Sequence, residues 1–543
     1  MPDTAQARKA RGAFFTPVEL SDFVAEWAVR SPADKILEPS CGEAAFLISA
    51  GRKLLALGRK RLGASQLQGI EIHEDSAGNA AALIAESGLS ARIWAGDFFD
   101  AAFEDLFDAV IGNPPYVRYQ QFTGAARAKA QQIALRQGIR LAGLASSWAA
   151  FVIHASASLK PEGRLGLVLP AELLTVNYAA PVREFLMRRF AKVRLILFDG
   201  LVFPGVMEEV LLLLAEGTGP TDHCEVFQAR DLASLASLEG RSWFPKNPEQ
   251  KWTQGLLPAE ATDLYTELRS APEISELLDW GETDLGIVTG NNGYFTLTRE
   301  QVRELGLPAG DLLAISPPSS RHLRGLSFTP ETWSALAEEG AQVHLFYPGV
   351  KLSAPALRYI SRGEKDGVPS AYKCSVRSPW WRVPLVRVAD LFLTYMNHDT
   401  PRLVANEAGA RHLNSVHGVT LKKELRRLGM ESLPIGMLNS LTLLGAELVG
   451  RSYGGGILKL EPKEADRLPL PSPAVLARVA PQLRALCSRG PSLRNGDLMK
   501  VVDQVDQVLL RQEMGLSKNQ VNTLRVSRQA LFDRRARRGG EKK

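Results

Sequence analysis

Along the first 215 or so residues, short apolar, β-branched runs alternate with stretches whose apolar residues recur every three or four positions. That alternation is the pattern of a parallel sheet wrapped by helices. Strand candidates are residues 35–37, 67–72, 92–95, 107–111, 165–169, 193–198 and 210–214. The last two are joined by residues 199–209, too short for a helical crossover, so they are expected to pair antiparallel. The expected sheet thus has seven strands and ends on a hairpin. Between the strands, Thr16-Pro17-Val18-Glu19 reads as a capping box with Pro at the first helical position. It opens a helix with Leu20, Phe23, Val24, Trp27 and Ala28 on one stripe. Trp148, Phe151, Val152, Ala155 and Leu159 form a second stripe, which Lys160-Pro161-Glu162-Gly163 is expected to stop before a strand.

From about residue 216 the pattern loosens. Gly217, Gly219 and Pro220 open a region rich in turns, with Pro317-Pro318-Ser319-Ser320 and Gly454-Gly455-Gly456 inside it. Helical periodicity returns at Ala474 and runs into a basic tail. The expected division is an α/β domain over residues 1–218, a linker over 219–250, a mixed α+β domain over 251–473 and a helical segment with a basic tail over 474–543.

Composition excludes several classes. With 45% hydrophobic and 23% charged residues, the chain is not disordered. No apolar run approaches the roughly 18 residues of a membrane span, so no membrane partner is expected. The polar, basic start of the chain is unlike a secretory leader. Cys41, Cys224, Cys374 and Cys487 lie far apart, without metal-ligand spacing, which points to a reducing cytoplasm and no metal site. The net charge is +6, and residues 525–543 hold eight basic and two acidic side chains, so the excess sits in the tail and the body is neutral. The tail alone reads as a solvated end; the alternative is an electrostatic tether to phosphate.

Candidate chemistry gathers where the expected strands end. Glu38-Pro39-Ser40-Cys41-Gly42 follows the first strand, the place where an open α/β sheet receives ligands. Glu71, 29 residues after Gly42, closes the second strand and is placed to accept bonds from two ribose hydroxyls. Asp97-Phe98 follows the third strand, a carboxylate and an aromatic suited to an adenine amino group and ring. Any one of these acids could be a solvated loop-edge residue; three ending successive strands form a set. Asn113-Pro114-Pro115-Tyr116 follows the fourth strand. It could be a stiff turn with a packed Tyr, but it also has a chemical reading. An exocyclic amine on a heteroaromatic ring is a poor nucleophile because its lone pair is delocalised. Two fixed acceptors, the Asn113 side-chain oxygen and the Pro114 carbonyl, can draw both N–H bonds aside and free that lone pair. Tyr116 offers a ring face to a base.

These motifs, over roughly residues 12–215, resemble the gamma-class DNA adenine-N6 methyltransferases of restriction–modification systems. The resemblance implies a class I methyltransferase (Rossmann-like) seven-stranded sheet with a β-hairpin and a C-terminal target-recognition domain. It implies S-adenosyl-L-methionine as cofactor, held by Thr16 (of Phe15-Thr16-Pro17), Glu38, Pro39, Ser40, Gly42, Glu71, Ile72, Asp97 and Phe98. Asn113, Pro114 and Tyr116 become the catalytic residues, with Tyr116 and Phe203 contacting a flipped base. Ala44 stands where the family carries Gly. Segments around Gly290–Phe295 and Gly450–Gly456 resemble parts of target-recognition domains, and Arg451 and Tyr453 are candidate DNA contacts. The implied partners are double-stranded DNA and a cognate restriction endonuclease. Alternatives are methylation of an RNA adenine or a protein glutamine amide, and a non-catalytic DNA-binding specificity protein that keeps the fold.

Overall fold

The computed structural model describes residues 16–537, apart from 64, 104, 199–201, 203–208, 246, 454 and 489–496. The chain divides into two compact units, residues 1–257 with 537–543, and residues 258–536.

The first unit is built on a nine-stranded sheet of order β3-β2-β1-β4-β5-β7-β6-β8-β9. Its strands are β1 (Ile36–Glu38), β2 (Leu67–Glu71), β3 (Arg92–Ala95), β4 (Phe107–Gly112), β5 (Leu159–Pro170), β6 (Lys192–Phe198), β7 (Val210–Glu216), β8 (Cys224–Ala229) and β9 (Gly240–Trp243). β1 to β5 run parallel, and β7 inserts antiparallel between β5 and β6. The hairpin expected from the short 199–209 connection is therefore present. β1 and β7 are almost wholly buried, and β5 is buried from Leu165 to Pro170, as strands covered on both faces must be.

Three expectations are corrected here. The stretch expected as a linker at 219–250 carries β8, parallel to β6, and β9, antiparallel to β8. The sheet therefore has two strands beyond the expected seven. Cys224, Val226 and Ala229 of β8 are buried, which a linker would not allow. Lys160–Gly163 does not delay the fifth strand: β5 begins at Leu159, and its register against β4 shifts between Phe107 and Ala109, so the four residues form an irregularity inside the strand. Thr16 does not cap the first helix. α1 (Val18–Ala28) has Pro17 as its N-cap, whose carbonyl accepts from the Leu20 and Ser21 amides at 3.1 and 3.2 Å, with no side-chain cap. Pro17 has ψ 141°, outside the helical range, so the helix starts one residue late and leaves Thr16 free to point elsewhere.

α1 packs through Leu20, Val24 and Ala28 as its stripe requires. α2 (Ala45–Ala56), α3 (Glu74–Glu86), α4 (Gly124–Arg136), α5 (Ser147–Ala157) and α6 (Ala180–Arg189) follow in chain order. α5 is buried almost all round, including Trp148, Phe151 and Val152.

The second unit is mixed. A five-stranded sheet runs in the order Gly281–Leu285, Val416–Leu421, Leu391–Thr394, Leu403–Asn406 and Ser327–Phe328. Its helices include Arg426–Gly436, Ser440–Val449, Pro473–Ser488, Leu498–Asp506 and Lys518–Arg537, beside smaller sheets of two and three strands. Over residues 525–536 the last helix corrects the solvated reading of the tail, whose residues 538–543 lie outside the described residues. Arg535 is buried and paired with buried Glu447 at 2.9 Å, and Arg525 donates to buried Asp506 at 2.7 Å. Arg528 and Arg534 are buried as well. A guanidinium can enter the interior when a carboxylate and carbonyls take its hydrogens, and Arg535 finds both. No single helix among the described residues is long and apolar enough to cross a membrane.

Candidate active site

The strand order reverses between β1 and β4, and the carboxyl ends of both open on the same edge. A Cβ on Gly112, the last residue of β4, would lie 3.5 Å from Glu38 and Pro39. The Glu38–Gly42 turn and the Asn113–Tyr116 corner are thus neighbours, at the position where such sheets bind ligands.

The β1 turn is held by carboxylates. Buried Glu38 accepts from the Leu47 amide at 3.0 Å, at the start of α2. Burial pushes its carboxyl well above the usual range; the Leu47 and Phe46 amides pull it back and neighbouring Glu71 raises it again. Gly42 sits at φ +50° and its amide donates to Glu71 Oε2 at 3.1 Å. The His73 amide donates to Glu71 Oε1, also at 3.1 Å. Glu71 is 7% exposed, with one oxygen spent on each loop and a lone pair left on each. Ala44 takes φ +59°, the only non-glycine residue with positive φ among those described. The local backbone therefore wants the glycine it lacks, at a cost of about 1–2 kcal/mol.

Further along the edge, Asp97 accepts from the Phe99 amide at 3.0 Å and from Lys129 Nζ at 2.9 Å. Phe98 is not open to a ligand. It is 2% exposed, with its ring centroid 5.2 Å from that of Phe151 and 4.4 Å from that of His154. Burial lowers the His154 pKa from its ordinary value. The apolar side chain that does face out of this edge is Ile72, 62% exposed.

At the end of β4, the Asn113 amide is held from both sides. Its Nδ2 lies 3.5 Å from Thr16 Oγ1, and its Oδ1 accepts from the Tyr116 hydroxyl at 2.7 Å. The same hydroxyl reaches the Val168 carbonyl at 3.0 Å. One phenolic proton can serve only one of these at full strength. Transfer to Val168 would therefore release Asn113 Oδ1 without stranding the hydroxyl. Among the described residues no donor reaches the Pro114 carbonyl. Tyr116 is 8% exposed, so its ring face is covered in this structure.

The structure brings together Thr16, Glu38, Pro39, Ser40, Gly42, Glu71, Ile72, Asn113, Pro114 and Tyr116 on one sheet edge, with Asp97 further along it. Phe203 lies outside the described residues. In the second unit, Arg451 is committed to buried Glu464 at 2.6 Å, while Tyr453 is 51% exposed with Lys459 over its ring. Lys129, which reaches Asp97 from α4, carries no sequence signal, since a lysine on an amphipathic helix is unremarked.

Residues 2–216 match the family described as N-6 DNA Methylase, and residues 249–510 match the C-terminal domain of the Type II methyltransferase M.Eco57I. The Type II methyltransferase M.XamI of Xanthomonas campestris pv. amaranthicola is 26% identical, with 85% of each chain covered. M.AccI of Acinetobacter calcoaceticus is 22% identical over 85% of each chain. Among solved structures, the Type IIL restriction-modification enzyme MmeI in complex with DNA shares the fold at TM-score 0.60 and 12% identity, covering 97% of this chain and 80% of that one. The chain belongs to the N6 adenine DNA methyltransferase family and is an adenine-N6 DNA methyltransferase of the restriction–modification type.

Proposed function

We propose that this enzyme methylates N6 of an adenine flipped out of double-stranded DNA, using the corner at Asn113–Tyr116. The observation that carries the reading is the pair of oxygens there: Asn113 Oδ1, oriented by Tyr116 and Thr16, and a Pro114 carbonyl that no described donor reaches. The two acceptors take the two N–H bonds of the adenine amine, and its lone pair is freed for attack. No ionised base is needed at the start, and the proton shed after attack leaves past half-exposed Asn113 to water.

S-adenosyl-L-methionine, when bound, supplies the electrophilic methyl group. The β1 edge fits it. Gly42 offers backbone whose absent side chain would meet no atom within 4 Å, Glu71 keeps lone pairs for ribose hydroxyls, and Ile72 presents an apolar face to a purine. Asp97 and its neighbouring amides are the polar partner for the purine amine, while Phe98 serves by packing α5 against this edge. Flipping the target costs a few kcal/mol, met by DNA contacts of the second unit, where Tyr453 and its neighbours are candidates. Stacking by Tyr116 requires its ring to turn out from its buried seat. A cognate endonuclease completes the system.

The test is incubation with labelled S-adenosylmethionine and mixed DNA, followed by nucleoside analysis. Label in N6-methyladenine of DNA is the expected result; label confined to RNA or protein would transfer the site to the alternative substrates.

A further inference from the structure

We infer that Ser147 is a positioning residue for the catalytic corner, and that its hydroxyl decides which main-chain carbonyl is left for the substrate amine. The inference rests on the reading of Asn113 and Pro114 as the acceptor pair.

Pro114 and Pro115 have no N–H, so this stretch cannot be anchored by its own amides at those positions. The anchor comes instead from Ser147, the first residue of α5 and buried. Its Oγ donates to the Pro115 carbonyl and accepts from the Val117 amide at 2.9 Å. Its own amide donates to the Val117 carbonyl at 3.1 Å. Ser147 therefore grips the residues on both sides of Tyr116.

A serine at a helix start ordinarily turns its oxygen back to cap the helix. Here neither hydroxyl does. Ser146, at the N-cap, makes no side-chain cap and accepts from Tyr178 at 3.0 Å, while Ser147 is spent on the loop. The consequence is selective. The carbonyls of Pro115 and Val117 are both taken, and the Pro114 carbonyl receives no donor from the described residues. The gripped backbone also fixes the pivot about which the Tyr116 side chain would swing. Losing the hydroxyl frees the Pro115 carbonyl and the Val117 amide, so the corner can rotate and offer the wrong oxygen. Helix α5 ties the same grip to Phe98 through Phe151 and His154, but the effect on the amine runs through Pro115 and Val117 alone.

The test compares Ser147→Thr with Ser147→Val in the full-length protein, since the two side chains have nearly the same shape and differ in the hydroxyl. Single-turnover methyl transfer and S-adenosylmethionine affinity are measured for both, with Ser147→Ala alongside. The expected result is that Thr stays within about threefold of wild type, while Val and Ala lose on the order of 10- to 100-fold in rate with cofactor affinity unchanged. Equal rates for Thr and Val would overturn the inference, as would cofactor affinity falling in step with rate. A wild-type enzyme that leaves adenine unlabelled would sink the acceptor-pair reading itself. An active wild type with Thr and Val alike sinks only the role of Ser147.

Discussion

Replacing Asn113 by Ala separates catalysis from cofactor binding, and the structure sets both magnitudes. In the folded protein the change removes the acceptor 2.7 Å from the Tyr116 hydroxyl, but the Val168 carbonyl at 3.0 Å remains to take that proton. The long 3.5 Å approach to Thr16 is worth little. No buried donor is orphaned, so the stability cost is that of one net hydrogen bond, about 1 kcal/mol. In the transition state one of two preorganised acceptors is missing. Groups of that kind are worth about 3–4 kcal/mol, or on the order of 10²–10³ in rate. Cofactor affinity should not change, because Gly42, Glu71 and Ile72 belong to the β1 and β2 loops. The assay is single-turnover transfer of labelled methyl at saturating cofactor, with S-adenosylmethionine binding by calorimetry and urea unfolding on the same preparation. A rate within about tenfold of wild type would refute the acceptor role. So would a loss of cofactor binding that accounts for the lost rate.

Tyr116→Phe keeps the ring but leaves Asn113 Oδ1 and the Val168 carbonyl without the phenolic proton; unfolding should cost about 1–2 kcal/mol less, and the transfer rate should fall, by less than for Asn113→Ala. Glu71→Gln can accept from only one of the Gly42 and His73 amides, so S-adenosylmethionine affinity should weaken by about tenfold or more in calorimetry, with the saturated rate less affected. Burial, aided by neighbouring His417 and Arg411, pushes His412 down to about 4. The unfolded chain takes up a proton near pH 6.5 and the folded one does not, so this contribution to stability is intact above that pH and lost as pH falls towards 4. At pH 5 the loss is about 2 kcal/mol, and His412→Leu should remove it, seen as a smaller drop in melting temperature between pH 7.5 and pH 5 than in wild type.

The strands, the hairpin and the candidate edge are legible in the sequence because their signals are local. β-branched runs, a connection too short to cross over, and acids placed where strands stop all lie within a few residues of one another. What was not legible depends on partners distant in the chain. Arg535 reads as a solvated charge until Glu447, 88 residues away, is folded against it. β8 carries little signal in sequence because Glu225 and Gln228 interrupt a six-residue run set among Gly and Pro, and only pairing with β6 identifies it. Phe98 looks like a ligand-facing aromatic in sequence, but Phe151 and His154 claim its ring. Ser147 follows Ser146 at the start of an apolar helix stripe, so in sequence it reads as part of a helix cap. Its grip on the loop appears only when α5 is brought to the end of β4.

The two extra strands bear on how a minimal enzyme could be carved from this chain. Ending it after β7, where the methyltransferase core looks complete, would strip β8 from β6 and expose the parallel pairing edge from Arg194 to Phe198. A bare row of amides and carbonyls beside Leu195, Ile196 and Leu197 invites strand-to-strand association between copies. Such a truncate would also take the Glu249 carbonyl from Arg183, whose buried guanidinium would keep only the Leu173 and Val176 carbonyls. A cut at Leu257 keeps β9, Trp243 and Trp252 in place, and is where a shortened protein stands the best chance of staying monodisperse.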